Sequence, residues 1–576
     1  MTWYMAAFRL EWLAMALLLV SATMALAARR KGLLVRWVFP CVVIGGLALW
    51  ALAALGLALY LRLGKETYPH WLYHDLARAL AFFAGAGVIL WRGSRPAGST
   101  PDTNRAAGAW PLPRLFKVSA AAALIWGATL WAFCAHAAGQ FEAARRDARA
   151  LAVSVKPPAV AEEANAAMLY KRACELIPNR MRMSEADARE HSSWSFSWGW
   201  DEAADPRMLA YLERMQPALE LLEQAAVRPG CRFNSEHDYS HPGLQEFTYD
   251  RGILRAKSLL RMNVRRRCIQ GDARGALGSV AGLHTLASHI AQEPAYSRVT
   301  QAIGMYHPWV LEYVLARTSP SSEDLKILPK IGDAALDQRF RAALILEEAL
   351  ALSEMAMVEE VAFARNRITG DEPVAVMLFG KLGFRLCLIG WRTFYLAPDL
   401  ADFRSRMKAA RDLAARPFLE VQEEWRQWDR NCLEEPHGVM TGLFLPAAGR
   451  LALNVCRGTA QIRLTDMALA AAAYRAEHGR YPVKAGDIVP TFIPAIPQDP
   501  FDGQPLRMRA VDGELLLYSV GEDGKDDGGA EMNHKQHTGD ITFCLGTKLW
   551  RERRAESVSG TDKAGAGKPG VGKSGR

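Results

Sequence analysis

The stretch His478-Gly479-Arg480-Tyr481-Pro482, followed by Ile496-Pro497-Gln498-Asp499-Pro500-Phe501 and by Tyr518-Ser519-Val520-Gly521-Glu522-Asp523-Gly524-Lys525-Asp526-Asp527-Gly528-Gly529, decides the fold of the C-terminal region. Pro482 disfavours helical geometry in the residue before it, so a helix over Thr459–His478 is predicted to end here. Asp499-Pro500 is predicted to form a turn, and Leu515–Tyr518 a strand that leads into the glycine-rich stretch. We therefore expect a small α+β module in which the helix packs on an antiparallel sheet.

The order and spacing of these stretches resemble the globular end of the major pseudopilin of type II secretion. In that family a helix ends at G-x-Y-P, an LP-x-DP turn opens the sheet, and an S-x-G-x-DG loop binds calcium. The chain departs from the family by a long insertion, Ala530–Gly539. It also lacks the prepilin cleavage sequence and the early glutamate, so we do not expect it to be processed into a filament subunit.

Calcium is the one cofactor that the glycine-rich loop suggests. Calcium takes roughly six to eight oxygen ligands in flexible geometry, and glycines let the backbone turn its carbonyls inward. The candidate metal-ligating residues are Asp523, Asp526, Asp527 and Asp540. The resemblance implies that Asp523 and Asp540 are ligands. The alternative is an Asp/Gly-rich hairpin that binds no metal.

Apolar residues are concentrated in the first 138 residues, in four runs near the length that a helix needs to cross a bilayer. The runs are Trp12–Ala28, Trp37–Leu61, Leu72–Trp91 and Val118–Ala138. The first could instead be a cleaved signal peptide, but its basic cluster follows the run rather than preceding it. The predicted fold class is a membrane α-helical N-terminus with four transmembrane helices, then a mainly α-helical soluble domain and a small α+β pseudopilin-like C-terminal module.

Basic residues in the short loops predict the orientation of these runs, because positive loops stay in the cytoplasm. The first loop contains Arg29, Arg30, Lys31 and Arg36, and the third contains Arg92, Arg95, Arg105, Arg114 and Lys117. The expected location is the inner (cytoplasmic) membrane, multi-pass, with the large C-terminal domain in the periplasm. The lipid bilayer is thus an expected partner. Arg145, Arg146 and Arg149, which follow the fourth run, argue against this orientation.

The net charge of +9 does not indicate a nucleic-acid-binding face. Residues 1–117 hold 13 basic and 4 acidic side chains, and residues 546–576 hold 8 and 3. The rest of the chain is acidic overall, so the basic pI comes from membrane loops and a tail. We expect no nucleic-acid partner.

Between the membrane region and the C-terminal module the pattern is helical, with apolar residues at i, i+3 and i+4. This part resembles an uncharacterised family of large bacterial membrane proteins that share N-A-A-x-L-Y, C-R-F and G-D-x-x-x-A-L segments, here beginning at Asn165, Cys231 and Gly271. The resemblance implies architecture and no activity. The predicted regions are 1–138 transmembrane, 139–160 stalk or linker, 161–457 irregular α-helical extracytoplasmic domain, 458–545 pseudopilin-like module and 546–576 disordered basic tail.

Other candidate sites have simpler explanations. Gly567–Ser574 matches a phosphate-binding loop, but the chain ends two residues later, where the loop's helix would have to be. His237, Asp238 and His241 have loose spacing typical of a turn, and so do His534 and His537. The acid pairs Glu347-Glu348 and Glu359-Glu360 are interpreted as a solvated helix face. The scattered cysteines form no C-x-x-C pair and are interpreted as core residues.

No catalytic motif is present, so an enzyme is the less favoured interpretation. The sequence favours a non-enzymatic scaffold or binding protein at the cell envelope, with other envelope proteins as possible partners. The alternatives are an envelope hydrolase with an unrecognised active site in the helical domain, and an accessory component of a type II secretion-like system.

Overall fold

The computed structural model describes residues 139–140, 142–178, 194, 205–233, 239, 250–306, 308–329, 333–356, 396–434, 438–532 and 538–553. Apart from Glu434, these residues belong to one compact unit, formed by 122–433 and 437–576.

The described part is mainly helical and ends in a small sheet. The helices are α1 Ala167–Leu176, α2 Pro206–Arg214, α3 Gln216–Ala226, α4 Asp250–Ile269, α5 Ala273–Ile290, α6 Tyr296–Ile303, α7 Trp309–Arg317, α8 Ser322–Leu325, α9 Asp333–Ala356, α10 Leu396–Ala414, α11 Phe418–Glu434, α12 Val439–Phe444 and α13 Ala448–His478. The strands are β1 Arg507–Val511, β2 Glu514–Ser519 and β3 Ile541–Leu545, and short 3-10 turns occupy Glu162–Ala164 and Ala485–Asp487.

The predicted fold class needs a correction concerning the membrane. Among the helices that the structure describes, none combines the length and the apolar character needed to cross a bilayer. The four predicted spanning segments in residues 1–138 lie outside the described residues. So do all but the last two residues of the apolar stretch Val374–Ala397, whose cations Lys381, Arg385 and Arg392 predict a buried or interfacial helix rather than a spanning one. The predicted fold class is corrected accordingly: the described part of the chain is mainly helical, with a small three-stranded sheet and no membrane-spanning helix.

A single large hydrophobic core joins the helical region to the sheet. It runs from Ala166, next to α1, through every long helix to Trp550, after β3. The 31-residue helix α13 crosses it and buries residues along its whole length, among them Leu451, Val455 and Ile462. The predicted boundary between residues 457 and 458 falls inside this helix. The C-terminal module is thus continuous with the helical region in both chain and core.

The sheet is antiparallel, in the order β1-β2-β3. Residues alternate across a strand, so β2 presents its side chains to two faces. Leu515 and Leu517 lie in the large core, whereas Leu516 and Tyr518 pack with Leu549 on the other side. The predicted strand Leu515–Tyr518 is confirmed, and it is buried on both faces because helical segment 547–553 covers the side away from the core.

The end of α13 confirms the predicted end of the C-terminal helix at His478 and shows its cause. Gly479 follows with φ 71°, and its N–H donates to the carbonyl of Arg475 at 2.8 Å. A glycine in this left-handed conformation is a common way for a helix to end. The helix therefore ends three residues before the residue that Pro482 restricts.

Residues 142–154, in the predicted stalk, are helical and pack against the domain. Ala144, Ala148 and Ala152 are fully buried at successive helical turns. Ala144 and Ala148 contact a cluster from α9 and α10 that includes Leu352 and Phe403. Small side chains at a spacing of four let this segment approach the two helices closely.

The N-terminus of α13 is capped from another helix. Its own N-cap residue, Ala447, gives no side-chain hydrogen bond, and the N–H of Gly449 donates to the Asp429 carboxylate of α11. A Cβ atom at Gly449 would lie 2.4 Å from Asp429 Oδ2. Glycine is therefore required at this position for the carboxylate to reach the helix end.

This arrangement predicts opposite outcomes for two glycine-to-alanine changes. Gly278→Ala, in α5, meets nothing within 4 Å and should raise the free energy of unfolding by about 1 kcal/mol through helix propensity. Gly449→Ala should lower it by about 1 kcal/mol, because the Asp429 cap is displaced. Urea denaturation of both variants measures the difference, and a gain in stability at both positions would contradict the role of Asp429.

Candidate functional site

Asp499 fixes the base of the glycine-rich loop. Its Oδ1 accepts hydrogen bonds from Phe501 N at 3.0 Å and Ser519 Oγ at 2.8 Å. Its Oδ2 accepts from Val520 N and Arg507 Nη1, both at 2.9 Å. This buried carboxylate joins the predicted Asp499-Pro500 turn to the end of β2, so the turn is confirmed and the loop leaves the sheet in a defined direction.

The loop itself needs glycine at several positions. Gly521, Gly524, Gly528 and Gly529 have φ between 66° and 84°, a conformation that side chains disfavour. At Gly521 a Cβ would lie 2.7 Å from the carbonyl oxygen of Gly539. The two limbs of the loop therefore touch each other through their backbones.

Asp540 is the buried acid of the loop. Its Oδ2 accepts from Gly529 N at 2.6 Å, while Oδ1 has no hydrogen-bond partner among the described residues. Burial raises its pKa to about 6, the N–H groups of Gly529 and Asp527 work against this rise, and the charges of Asp526 and Asp527 add to it. An ionised Asp540 would therefore gain from a cation next to Oδ1.

The other predicted ligands are placed differently. Asp526 and Asp527 lie close enough to raise the pKa of Asp540. Asp526 Oδ1 accepts from Gly528 N at 2.9 Å, and Asp523 Oδ1 accepts from Lys525 N at 3.2 Å in a local turn. Across the described part of the chain, no group of three or more His, Cys, Asp or Glu side chains is arranged to hold a metal ion. Carbonyl oxygens would have to complete a calcium site here.

Glu522 attaches the loop to the helical region. Its buried side chain forms an ion pair with Arg457 of α13. Its carbonyl oxygen accepts from Gln422 Nε2 at 2.8 Å and from Arg426 Nη2 at 3.1 Å, both on α11. We call these contacts the Glu522 clamp. No pattern in the sequence predicts these contacts, because the partners are 65 to 100 residues away in the chain.

A buried tyrosine–histidine pair lies in the helical region. Tyr170 Oη and His289 Nδ1 are 3.0 Å apart, and His289 Nε2 is 3.1 Å from the carbonyl oxygen of Arg228. The carbonyl can only accept, so Nε2 carries the proton and Nδ1 accepts from Tyr170. Burial lowers the pKa of His289 to about 4, and the ring is therefore neutral at pH 7.

Two of the three sequence segments, those beginning at Asn165 and Cys231, meet around this pair. Asn165 Oδ1 accepts from Arg232 N at 2.9 Å, and Phe233 stacks on Tyr170 with ring centroids 5.8 Å apart. His289 lies on α5, the helix that follows Gly271 and is capped by Asp272. Their polar groups bond to one another and to the backbone, which is the use expected of groups that hold a core together.

The interpretation of Glu347-Glu348 as a solvated face is wrong. Glu348 is buried and forms an ion pair with Arg411 of α10. Glu347 Oε1 accepts from Tyr296 N at 3.3 Å, and burial raises the pKa of Glu347. The pair Glu359-Glu360 lies outside the described residues.

The six described cysteines are free thiols, as expected of core residues, and all but Cys432 are buried. Burial raises the pKa of Cys174 to about 11 and that of Cys268 to about 12. The reactive form of cysteine is the thiolate, so these are poor nucleophiles at neutral pH.

The remaining candidate residues, His237, Asp238, His241, His534, His537 and the segment Gly567–Ser574, lie outside the described residues. Comparison of the chain with family models and curated proteins, and of its fold with solved structures, finds no match.

Proposed function

We propose that this protein is a non-enzymatic binding scaffold of the bacterial cell envelope, in which the helical region holds the C-terminal module in one fixed orientation. The observation that supports this proposal is the Glu522 clamp, which attaches the glycine-rich loop to α11 and α13. It adds to the large hydrophobic core that already joins the helical region to the sheet. A filament subunit or a mobile domain would gain nothing from such an attachment. A scaffold needs this attachment, because a module that is already held in one orientation loses little conformational entropy when a partner binds its outer surface.

The buried chemistry of the helical region supports the non-enzymatic part of the proposal. The Tyr170–His289 pair is neutral and hydrogen-bonded at both ring nitrogens. The buried thiols have raised pKa values. These potential bases and nucleophiles are thus used in packing. The rival, an envelope hydrolase, requires an accessible cluster of such groups, and an accessory role in a type II secretion-like system rests on the pseudopilin resemblance.

A cross-linking experiment tests the scaffold. A photo-reactive residue at Val483, which is 63% exposed on the module, should form adducts with an envelope protein in intact cells. Releasing the clamp with the double variant Gln422→Ala/Arg426→Ala, which removes both donors to the Glu522 carbonyl, should reduce the adducts at unchanged protein level. The matched control is Glu420→Gln on the exposed face of α11, where Glu420 pairs with Arg416 and with no residue of the clamp. Adducts equally abundant in both variants, or none at Val483, would contradict the proposal.

The proposed location is the inner membrane, with the described unit facing the periplasm. The basic loops of the N-terminal region motivate it. Alkaline phosphatase fused after Ala150 should be active, and a cytoplasmic reporter at the same place should be silent. The reverse result would put the described unit in the cytoplasm.

We further propose that calcium binds the glycine-rich loop. The specific observation in favour is the buried Asp540 Oδ1, which lacks a hydrogen-bond partner among the described residues and lies near the charges of Asp526 and Asp527. Asp540, Asp526 and Asp527 would hold the ion together with loop carbonyls, and the ion would neutralise their mutual repulsion. It would thereby stabilise the folded loop.

The prediction for calcium concerns thermal unfolding of the full chain. At one hundred times its dissociation constant, calcium should add about 2.7 kcal/mol relative to chelator. Asp540→Asn should abolish this gain, and a retained gain in Asp523→Asn would restrict the site to the other three acids. The gain should shrink below pH 6, where Asp540 holds its proton. A melting temperature indifferent to calcium in the wild type leaves a hairpin without a metal.

A further inference from the structure

The helical segment 142–154 has one buried face and one exposed basic face. The buried face is the row of alanines that packs on α9 and α10. Arg146, Arg149 and Val153 are exposed and follow one another at intervals of three and four residues, which places them on one side of a helix. Lys156 is exposed too and continues this side, since its N–H donates to the carbonyl oxygen of Val153 at 3.2 Å. We call Arg146, Arg149 and Lys156 the basic stripe.

The acids of this segment are bonded to other cations. Glu142 pairs with Arg145 at 3.4 Å, and Asp147 pairs with Arg404 of α10. Within the part of the chain that the structure describes, no carboxylate forms an ion pair with the basic stripe. Three positive charges therefore lie side by side on the surface without a partner from the protein.

The neighbouring helices arrange their cations differently. Lys408 of α10 pairs with Asp412 one turn later, and Arg430 of α11 pairs with Glu423. Each basic side chain of α10 and α11 has a carboxylate partner of this kind. Such mixing of charges is typical of a helix face that meets only water, and the basic stripe departs from it.

The basic stripe also follows an apolar part of the sequence. The apolar run Val118–Ala138 ends four residues before the helical segment begins. Basic side chains next to such a run are well placed to meet the anionic headgroups of a bilayer. Val153, which is 53% exposed within the stripe, adds an apolar side chain suited to the boundary between headgroups and acyl chains.

We propose that the basic stripe binds the anionic headgroups of phospholipids, so that segment 142–154 lies on the membrane surface while its alanine face holds the domain. Charge complementarity selects this occupant, and the adjacent apolar run and Val153 favour a lipid surface over a nucleic acid of the same charge. The inference rests on the proposed membrane location, but it does not depend on which side of the membrane the domain faces.

The test uses the full chain in micelles of a neutral maltoside detergent, to which phosphatidylglycerol is added in steps. A fluorescent residue introduced at Val153 reports the surroundings of the stripe, and its emission should shift to the blue and saturate. Each basic side chain beside an anionic surface contributes roughly a fivefold factor in affinity. Arg146→Gln/Arg149→Gln/Lys156→Gln should therefore weaken the response about 100-fold. The exchange Arg146→Lys/Arg149→Lys/Lys156→Arg keeps the charges and should retain the response.

The matched control is Lys326→Gln/Lys408→Gln/Lys548→Gln, which removes three exposed cations from other surfaces and should respond like the wild type. Concentrated potassium chloride should suppress the shift, because salt screens exposed charges. Phosphatidylcholine and free glycerol phosphate should produce none.

Four results would overturn the proposal: no shift in the wild type, an equal shift in the glutamine variant of the stripe, an equal shift with phosphatidylcholine, or a shift with glycerol phosphate. The last would indicate a soluble phosphate ligand instead of a lipid. The reporter fusions after Ala150 decide the location separately, so a failure of the stripe and a failure of the location are distinguishable.

Discussion

Glu293→Gln is expected to lower the free energy of unfolding by about 3–5 kcal/mol, because it leaves the buried charge of Arg298 without its carboxylate. Arg298 is 0% exposed and Glu293 2%, and Arg298 Nε lies 3.4 Å from Glu293 Oε2. The guanidinium also lies 5.4 Å from the ring of Phe233. Glutamine keeps the shape of Glu293, so the change isolates its charge.

The double variant Glu293→Gln/Arg298→Met is the decisive comparison. It removes both charges and places an unbranched apolar chain where the arginine stem lies, so it should be more stable than Glu293→Gln alone. Urea denaturation of the two single variants and the double variant gives the coupling energy. A cost under about 1 kcal/mol for Glu293→Gln would show that the pair does not hold the core in this way.

The features that were predicted correctly from the sequence are those that depend on local backbone preferences. The end of α13, the turn at Asp499 and the strand Leu515–Tyr518 each depend on a few adjacent residues whose backbone preferences are strong. Glycine, proline and alternating apolar residues act at short range, and a single sequence displays them directly. The helical pattern of the middle region is of the same kind.

The wrong prediction of a solvated face at Glu347-Glu348 has its cause in long-range packing. Helix α9 contributes to all three apolar clusters around it, with Leu344, Leu346 and Leu352 each in a different one. These clusters cover α9 on several sides and leave no broad solvated face. Glu348 therefore forms its ion pair with Arg411 in the interior. The amphipathic pattern of an isolated helix does not reveal how many neighbours will cover it.

The candidate site also contains residues that the sequence predicts and contacts that only the fold creates. The glycines and aspartates of the loop were visible in the sequence because their composition is unusual. The selection of Asp540 as the buried acid depends on the pairing of Glu531 with Asp540 and on Gly529 lying opposite. The Glu522 clamp depends on α11, which is distant in the chain. Predicting such contacts requires the fold first.

Acid sensitivity is the second large effect that we expect, and His284 is its clearest source. The side chain is buried on α5, 5.8 Å from the ring of Tyr306 between centroids, and its Nδ1 has no hydrogen-bond partner within the described part of the chain. Burial lowers its pKa from 6.5 to about 4. The unfolded chain therefore binds one more proton than the folded protein across this interval.

Because the unfolded chain binds the additional proton, a fall in pH lowers the free energy of unfolding. The stability contributed by neutral His284 is fully present above pH 6.5 and is lost as the pH falls toward 4, by about 3 kcal/mol in all. His289 acts in the same direction, since burial lowers its pKa to about 4 as well. Asp540 acts in the opposite direction, because its pKa is raised to about 6 and the folded state retains that proton.

His284→Phe should therefore flatten the decline of stability between pH 6.5 and 4.5, by about one proton's slope, or ~1.4 kcal/mol per pH unit. Asp540→Asn should steepen it, because the opposing group is removed. Urea midpoints measured at half-unit intervals of pH for the wild type and both variants give the slopes. Phenylalanine keeps an aromatic ring against Tyr306, so loss of packing alone would shift all midpoints equally. A slope unchanged in His284→Phe would mean that the buried imidazole takes up its proton without unfolding the helix around it.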